Sequence, residues 1–235
     1  MKTKSLFAYA LLSMVCVLAL VGVSCDPALE TRDCVVMLGD SIFDLSDAET
    51  GYLEELSGHR YRTYYLNGAQ MDGGLIQDIE SQYDSAIRAG AIRTIIMDGG
   101  GNDYLMGNGS EEEIAEEVRQ AYVRILDKAQ DDGVQNIVVQ GYYLTANSPD
   151  GYAESAAALG AGLEAAGASR GIKLVYVNPV ADAWFASRRP SQYTITDGIH
   201  PTDAASERLA QLVWNAMVAN NIEQGEGCPS SGGCN

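Results

Sequence analysis

The sequence predicts an α/β fold in which a parallel β-sheet of five strands is covered on both faces by helices. Three observations predict it. Five short runs rich in β-branched residues alternate with longer stretches whose apolar residues recur at helical spacing. Several of those runs are apolar at consecutive positions, as in strands buried on both faces. The chain has 235 residues with no internal repeat or long linker, which suits one domain with a sizeable core.

The elements follow in order. Cys34 to Leu38 is the first strand, broken by Gly39 and followed at once by Asp40-Ser41. Leu45 to Ser57 has loosely helical spacing, and Arg60 to Leu66, with Tyr61, Thr63 and Tyr65 alternating, reads as the second strand. Leu75 to Ala89 is helical and ends at Gly90. Ile92 to Met97 is the third strand and runs directly into Asp98-Gly99-Gly100-Gly101-Asn102-Asp103. Ser110 and Glu113 form a capping-box pattern for a helix that extends to about Asp131, with acids in its first turn where the helix dipole favours them. Asn136 to Gln140 is the fourth strand, Tyr152 to Arg170 an alanine-rich helix and Ile172 to Val177 the fifth strand. The last helix covers about Thr202 to Asn220, with Leu209, Leu212, Val213, Ala216 and Met217 on its buried face.

Ligands of open α/β sheets bind outside the carboxyl ends of the strands. Ser41, Gly68 and Asn102 follow three such ends, and the loop carrying Asp197 and His200 precedes a helix, so it can reach the same edge. A serine hydroxyl needs an adjacent base to act as a nucleophile near neutral pH. Beyond the leader the chain has two histidines, and His59 lies in a polar surface turn, which leaves His200 as the base. Asp197, three residues earlier, can accept the other ring N–H and fix the tautomer. The same Asp197 also fits an Asx turn ahead of a helix begun by Pro201, and Ser41 also fits a helix cap. Oxyanion donors are available from the Ser41 N–H, the Gly68 N–H and the Asn102 amide.

These residues resemble the SGNH (GDSL-like) hydrolase family. Gly39-Asp40-Ser41 is similar to its first block, Gly68 to its second, Gly100-Gly101-Asn102-Asp103 to its third and Asp197-Gly198-Ile199-His200-Pro201 to its fifth. Gly73 and Gly74 are alternatives for the second block. The resemblance covers about residues 34 to 217. It implies a three-layer α/β/α fold with flavodoxin-like strand order, and ester hydrolysis through an acyl-serine without metal or cofactor. Ser41 lacks a Gly-x-Ser-x-Gly elbow, which speaks against an α/β-hydrolase.

Tyr142, Tyr143, Tyr152, Trp184, Phe185 and Tyr193 fall on loops of the catalytic edge, where they can stack on sugar rings, line an acyl groove or pack on one another. Arg188-Arg189 is either an anchor for an anionic substrate group or a solvated pair. No long apolar lid is visible, which favours short acyl esters, of a carbohydrate or a small alcohol, over long-chain lipids. A lysophospholipase or thioesterase is a variant of this reading. A surface glycan-binding protein that keeps the fold without turnover is an alternative of another class.

Residues 1–24 read as an export signal: Lys2 and Lys4, then an apolar stretch from Leu6 to Val23. Removing it deletes two lysines and no acids, so 13 basic residues face 32 acidic ones and the net charge is −19. That charge argues against nucleic acid or an anionic membrane surface as a partner. Gly22-Val23-Ser24-Cys25 resembles a bacterial lipobox, with Gly22 where that motif has leucine; lipidation of Cys25 and simple cleavage before it are both open. The domain then spans residues 25–222, with a Gly- and Ser-rich tail at 223–235. The last helix should deliver Cys228 and Cys234 near Cys34 and Cys25, and the Cys228–Cys234 loop alone is also short enough to close. With Cys25 lipidated, one cysteine stays free, Cys34 being the buried candidate; otherwise two disulfides can form.

Overall fold

The computed structural model describes residues 30–45, 47–71, 73, 77–146, 148, 152–222 and 230–231. The expected leader, Cys25, most of the tail and the alternative glycine Gly74 lie outside them.

Five parallel strands form the body of the sheet: β1 (Glu30–Leu38), β2 (His59–Thr63), β3 (Thr94–Met97), β4 (Asn136–Gln140) and β5 (Lys173–Val177). Their order is β2-β1-β3-β4-β5, every pair is parallel, and this is the flavodoxin-like order. The helices are α1 (Ser41–Asp44), α2 (Ala48–Ser57), α3 (Ile79–Ala89), α4 (Gly101–Met106), α5 (Glu111–Asp131), α6 (Tyr152–Ser169), α7 (Ala183–Ala186) and α8 (Asp203–Ala219).

Strand alternation separates two cores. Val36, Leu38, Ile95, Met97, Ile137 and Val139 face α3, α5 and α6. Val35, Met37, Ile96, Val138 and Val177 face α2 and α8. Because side chains alternate with period two, consecutive apolar residues were needed to fill both layers.

The differences from the sequence reading are local. The β1–β2 pairing loses register between Arg32 and Val36, and the Arg62 guanidinium donates to Asp33 O (2.5 Å) and to Ala86 O there. β2 ends at Thr63, yet Tyr64 N–H and Leu66 N–H still donate to Met37 O and Gly39 O, so the chain stays beside β1 as far as Leu66. Gly100 caps and Gly101 opens a short helix, α4, directly before Asn102. Ser230–Ser231, here β6, pairs antiparallel with Thr31 and Arg32, which returns the tail to the start of β1, the edge opposite the strand ends. Among the described residues no helix is long and apolar enough to cross a membrane.

Candidate active site

Gly39 leaves β1 with its backbone clamped by one side chain. Gly39 N–H donates to Gln82 Oε1 and Gln82 Nε2 donates to Gly39 O, each at 2.8 Å. Asp40 N–H donates to Asp98 Oδ1 at 2.8 Å. Asp40, not Ser41, caps α1, its Oδ1 accepting from Ile42 N–H at 3.0 Å. Ser41 is therefore the first residue of that helix, buried, with an N–H that has no acceptor within the helix itself.

His200 Nε2 lies 2.9 Å from Ser41 Oγ, and His200 Nδ1 lies 2.6 Å from Asp197 Oδ2. A carboxylate only accepts, so Nδ1 carries the proton and Nε2 is left to accept from the serine hydroxyl. Asp197 Oδ1 separately accepts Ile199 N–H at 2.9 Å and His200 N–H at 3.0 Å. The Asx turn and the histidine contact thus coexist, one on each oxygen. Burial works to raise this carboxyl, but the bonds from the His200 ring and the two backbone N–H groups outweigh it and hold Asp197 down at about 2. The loop is fixed by a bridge between Thr194 and Pro201, by Ile195 N–H to His200 O (2.9 Å) and by Tyr143 Oη to Ile199 O (2.6 Å).

Asn102 Nδ2 donates to Ala69 O at 2.9 Å and to Asp40 Oδ2 at 3.3 Å. The next residue, Asp103, accepts Met71 N–H on its carboxylate. The third block therefore holds the turn of the second. Gly68 sits in that turn at φ +79°, a left-handed conformation, half-buried. Gly73 is also left-handed, but it is exposed and its N–H donates to Asp78 Oδ2 at 3.3 Å.

Several residues around Ser41 were not anticipated. Tyr142 Oη donates to Asp40 Oδ2 at 2.6 Å, the oxygen that Asn102 also reaches. Burial pushes the Asp40 carboxyl up, opposed by bonds from Tyr142 and Ile42 and by His200. Asp98, fully buried, is raised well above the carboxylate range by burial and then by the charge of Asp40. Gln82 had a visible signal: it is a polar residue on the apolar stripe of α3, between Ile79, Tyr83 and Ala86. The bonds that Asp98 and Tyr142 make to Asp40 had none, since the partners are 58 and 102 residues apart in sequence.

The aromatic loops divide. Tyr143 and Phe185 stack with centroids 5.5 Å apart, Tyr193 meets both edge-on, and Trp184 lies against Phe185, so these four pack on one another. Arg188 lies 4.1 Å over the Trp184 ring and donates to Trp184 O. Tyr142 and Tyr152, together with Tyr143, line a cavity of about 520 Å³ that also includes Asp40, Ser41 and Asn102. His59 opens β2, with Nε2 3.1 Å from Arg32 Nη2.

The chain is 32% identical over 119 residues to GDSL lipase Rv0518 of Mycobacterium tuberculosis, a match covering 51% of this chain and 47% of that protein, so it spans about half of that relative's length. Among solved structures it is similar to the acetylxylan esterase Axe2 of Geobacillus stearothermophilus (14% identity, TM-score 0.57, 81% of this chain and 93% of that one). It is likewise similar to the acetyl xylan esterase AlAXEase (13% identity, TM-score 0.57, 77% and 98%). At these identities the structural likeness establishes the fold alone. Residues 37–208, most of the chain and all three of Ser41, Asp197 and His200, match the GDSL-like Lipase/Acylhydrolase family, and the chain belongs to that family.

Proposed function

We propose that this chain is an exported serine esterase that removes a short acyl group from a carbohydrate or small alcohol through an acyl-serine intermediate. The observation that carries the reading is the unbroken line Ser41 Oγ–His200 Nε2 (2.9 Å), His200 Nδ1–Asp197 Oδ2 (2.6 Å) at the end of β1.

Ser41 Oγ attacks the ester carbonyl carbon as its proton passes to His200 Nε2. Asp197 keeps its charge and stabilises the imidazolium. The oxyanion accepts from Ser41 N–H, from Asn102 Nδ2 in place of its longer bond to Asp40, and from Gly68 N–H. Collapse breaks the ester C–O bond, and the leaving alcohol takes the proton from His200. Water, deprotonated by His200, then releases the acid.

The acetylxylan esterases of similar fold favour an acylated glycan over a lysophospholipid or thioester. The aligned serine and histidine favour turnover over passive glycan binding. Export is supported by the leader pattern at 1–24 and by Cys34, a disulfide cysteine. The disulfide at Cys34 overturns the alternative in which that cysteine is free, and the pairing of β6 with β1 favours a tail cysteine as its partner. A lipid on Cys25 remains part of the proposal through the lipobox-like Gly22–Cys25.

The test is turnover of p-nitrophenyl acetate and of acetylated xylo-oligosaccharides by the wild type and by Ser41→Ala. Hydrolysis by the first and none by the second is expected. Hydrolysis retained in Ser41→Ala overturns the assignment.

A further inference from the structure

The Asn102 amide has two N–H groups, and both are engaged. One donates to Ala69 O at 2.9 Å and the other reaches Asp40 Oδ2 at 3.3 Å. To serve an oxyanion, the second N–H must leave Asp40. Asp40 is buried, and a buried carboxylate oxygen left without a donor is unfavourable.

Tyr142 offsets that loss. Its hydroxyl donates to the same Asp40 Oδ2 at 2.6 Å, the shorter of the two bonds. Asp40 Oδ1 accepts Ile42 N–H at 3.0 Å. Both oxygens of Asp40 therefore keep a donor when Asn102 turns away. Burial holds the Tyr142 hydroxyl well above the usual tyrosine range, so it keeps the proton that it donates.

The ring fixes where this hydroxyl sits. A Cβ on Gly101 would lie 2.8 Å from Cε1 and Cζ of Tyr142, so the ring rests against the first residue of α4, beside Asn102. The next residue, Tyr143, donates instead to Ile199 O on the histidine loop, at 2.6 Å. Two consecutive tyrosines thus support opposite sides of Ser41, one through Asp40 and one through the loop of His200.

Resting on the esterase reading above, we infer that Tyr142 is a positioning residue, whose hydroxyl satisfies Asp40 Oδ2 and so frees the Asn102 amide for the oxyanion as the tetrahedral intermediate forms. No covalent bond of Tyr142 changes. Its hydrogen bond to Asp40 persists, while one Asn102 N–H exchanges the carboxylate for the oxyanion as acceptor. That exchange happens only as charge develops on the substrate, so losing the hydroxyl lowers kcat and leaves KM nearly unchanged.

The experiment is steady-state hydrolysis of p-nitrophenyl acetate by the wild type, Tyr142→Phe, Asn102→Ala and the double variant, each with its melting temperature. Phenylalanine keeps the ring against Gly101 and removes the hydroxyl alone. Tyr142→Phe should lower kcat roughly tenfold or more with little change in KM. In the Asn102→Ala background the same substitution should alter kcat by no more than about twofold. 4-Aminophenylalanine at position 142 restores a donor of nearly the same shape and should recover most of the lost kcat. If Tyr142→Phe does not fold, 4-fluorophenylalanine at position 142, which has the shape without the donor, gives the same comparison. Wild-type kcat in the folded variant without a donor overturns the proposal. So does an equal loss in both backgrounds, which makes the hydroxyl independent of Asn102. A raised KM at unchanged kcat makes it a substrate contact instead and also overturns the proposal, as does a folded 4-aminophenylalanine variant that recovers nothing. Absence of turnover in the wild type overturns the esterase reading itself.

Discussion

Gln82 holds Gly39 by both of its backbone groups, accepting from the N–H and donating to the carbonyl, each at 2.8 Å. The clamp reaches across 43 residues from α3 to the turn that presents Ser41. Gln82→Leu fills the space but leaves two buried backbone groups without partners, at about 1–3 kcal/mol each. A lower melting temperature is expected. At temperatures where the variant is folded, kcat should fall roughly 10–10²-fold, because the nucleophile is no longer held in register with His200. Unchanged kcat in folded Gln82→Leu shows the clamp to be structural only.

The proposed mechanism makes Asn102 an oxyanion donor, distinct from the nucleophile. Its amide is worth most when negative charge develops, so Asn102→Ala should lower kcat by roughly 10²–10³ with little change in KM. Asn102→Asp should be worse, since a carboxylate would face the developing charge and the buried Asp40. The glycines give a paired comparison by steady-state kinetics. Gly68→Ala should damage activity, whereas Gly73→Ala, strained by its left-handed backbone, should cost stability but not kcat, because Gly73 is exposed and its N–H is engaged by Asp78. Full kcat in Asn102→Ala, or greater damage at Gly73, contradicts this assignment.

The pH profile should carry one ionisation on its acid side. Asp197, at about 2, stays charged throughout the working range, so the limb does not belong to that carboxyl. kcat/KM for a p-nitrophenyl ester should rise with a slope of one and then level. A flat profile contradicts a base that must be free to accept the serine proton.

Glu49 predicts a stability effect of the opposite sign. It is buried in α2 beside Gln140, whose Nε2 lies 3.3 Å from Glu49 Oε2, and burial lifts its carboxyl well above the glutamate range against that bond. The folded chain therefore keeps a proton that the unfolded chain releases above about pH 4.3. Stability falls as pH rises from there until the folded carboxyl itself ionises. Glu49→Gln should melt higher than the wild type at neutral pH by a few degrees, with about 2–4 °C for each kcal/mol recovered. The difference should close below about pH 4. A difference independent of pH contradicts the buried-acid account.

How much of this was legible in the sequence follows from the range of each interaction. The strands at Asn136–Gln140 and Lys173–Val177 were readable from their consecutive apolar residues, Ile137 to Val139 and Leu174 to Val177, which pack on both faces of the sheet. The helix from Glu111 to Asp131 was readable from its capping box, which acts within three residues. Ser41, Asp197 and His200 came together because parallel topology sends every strand end to one edge. The Gly39 clamp, the Tyr142–Asp40 bond and the cavity beside Ser41 were hidden, since each joins residues distant in the chain. Even Asp197 looked like a choice between turn and catalyst, because a sequence does not show that its two oxygens take separate partners.

The most direct test of the central claim is the mass of the Ser41 peptide after reaction with a fluorophosphonate probe. The account predicts one covalent adduct, on Ser41 Oγ, absent in Ser41→Ala and formed far more slowly in His200→Ala. An adduct on another residue, or none while ester hydrolysis proceeds, would contradict it.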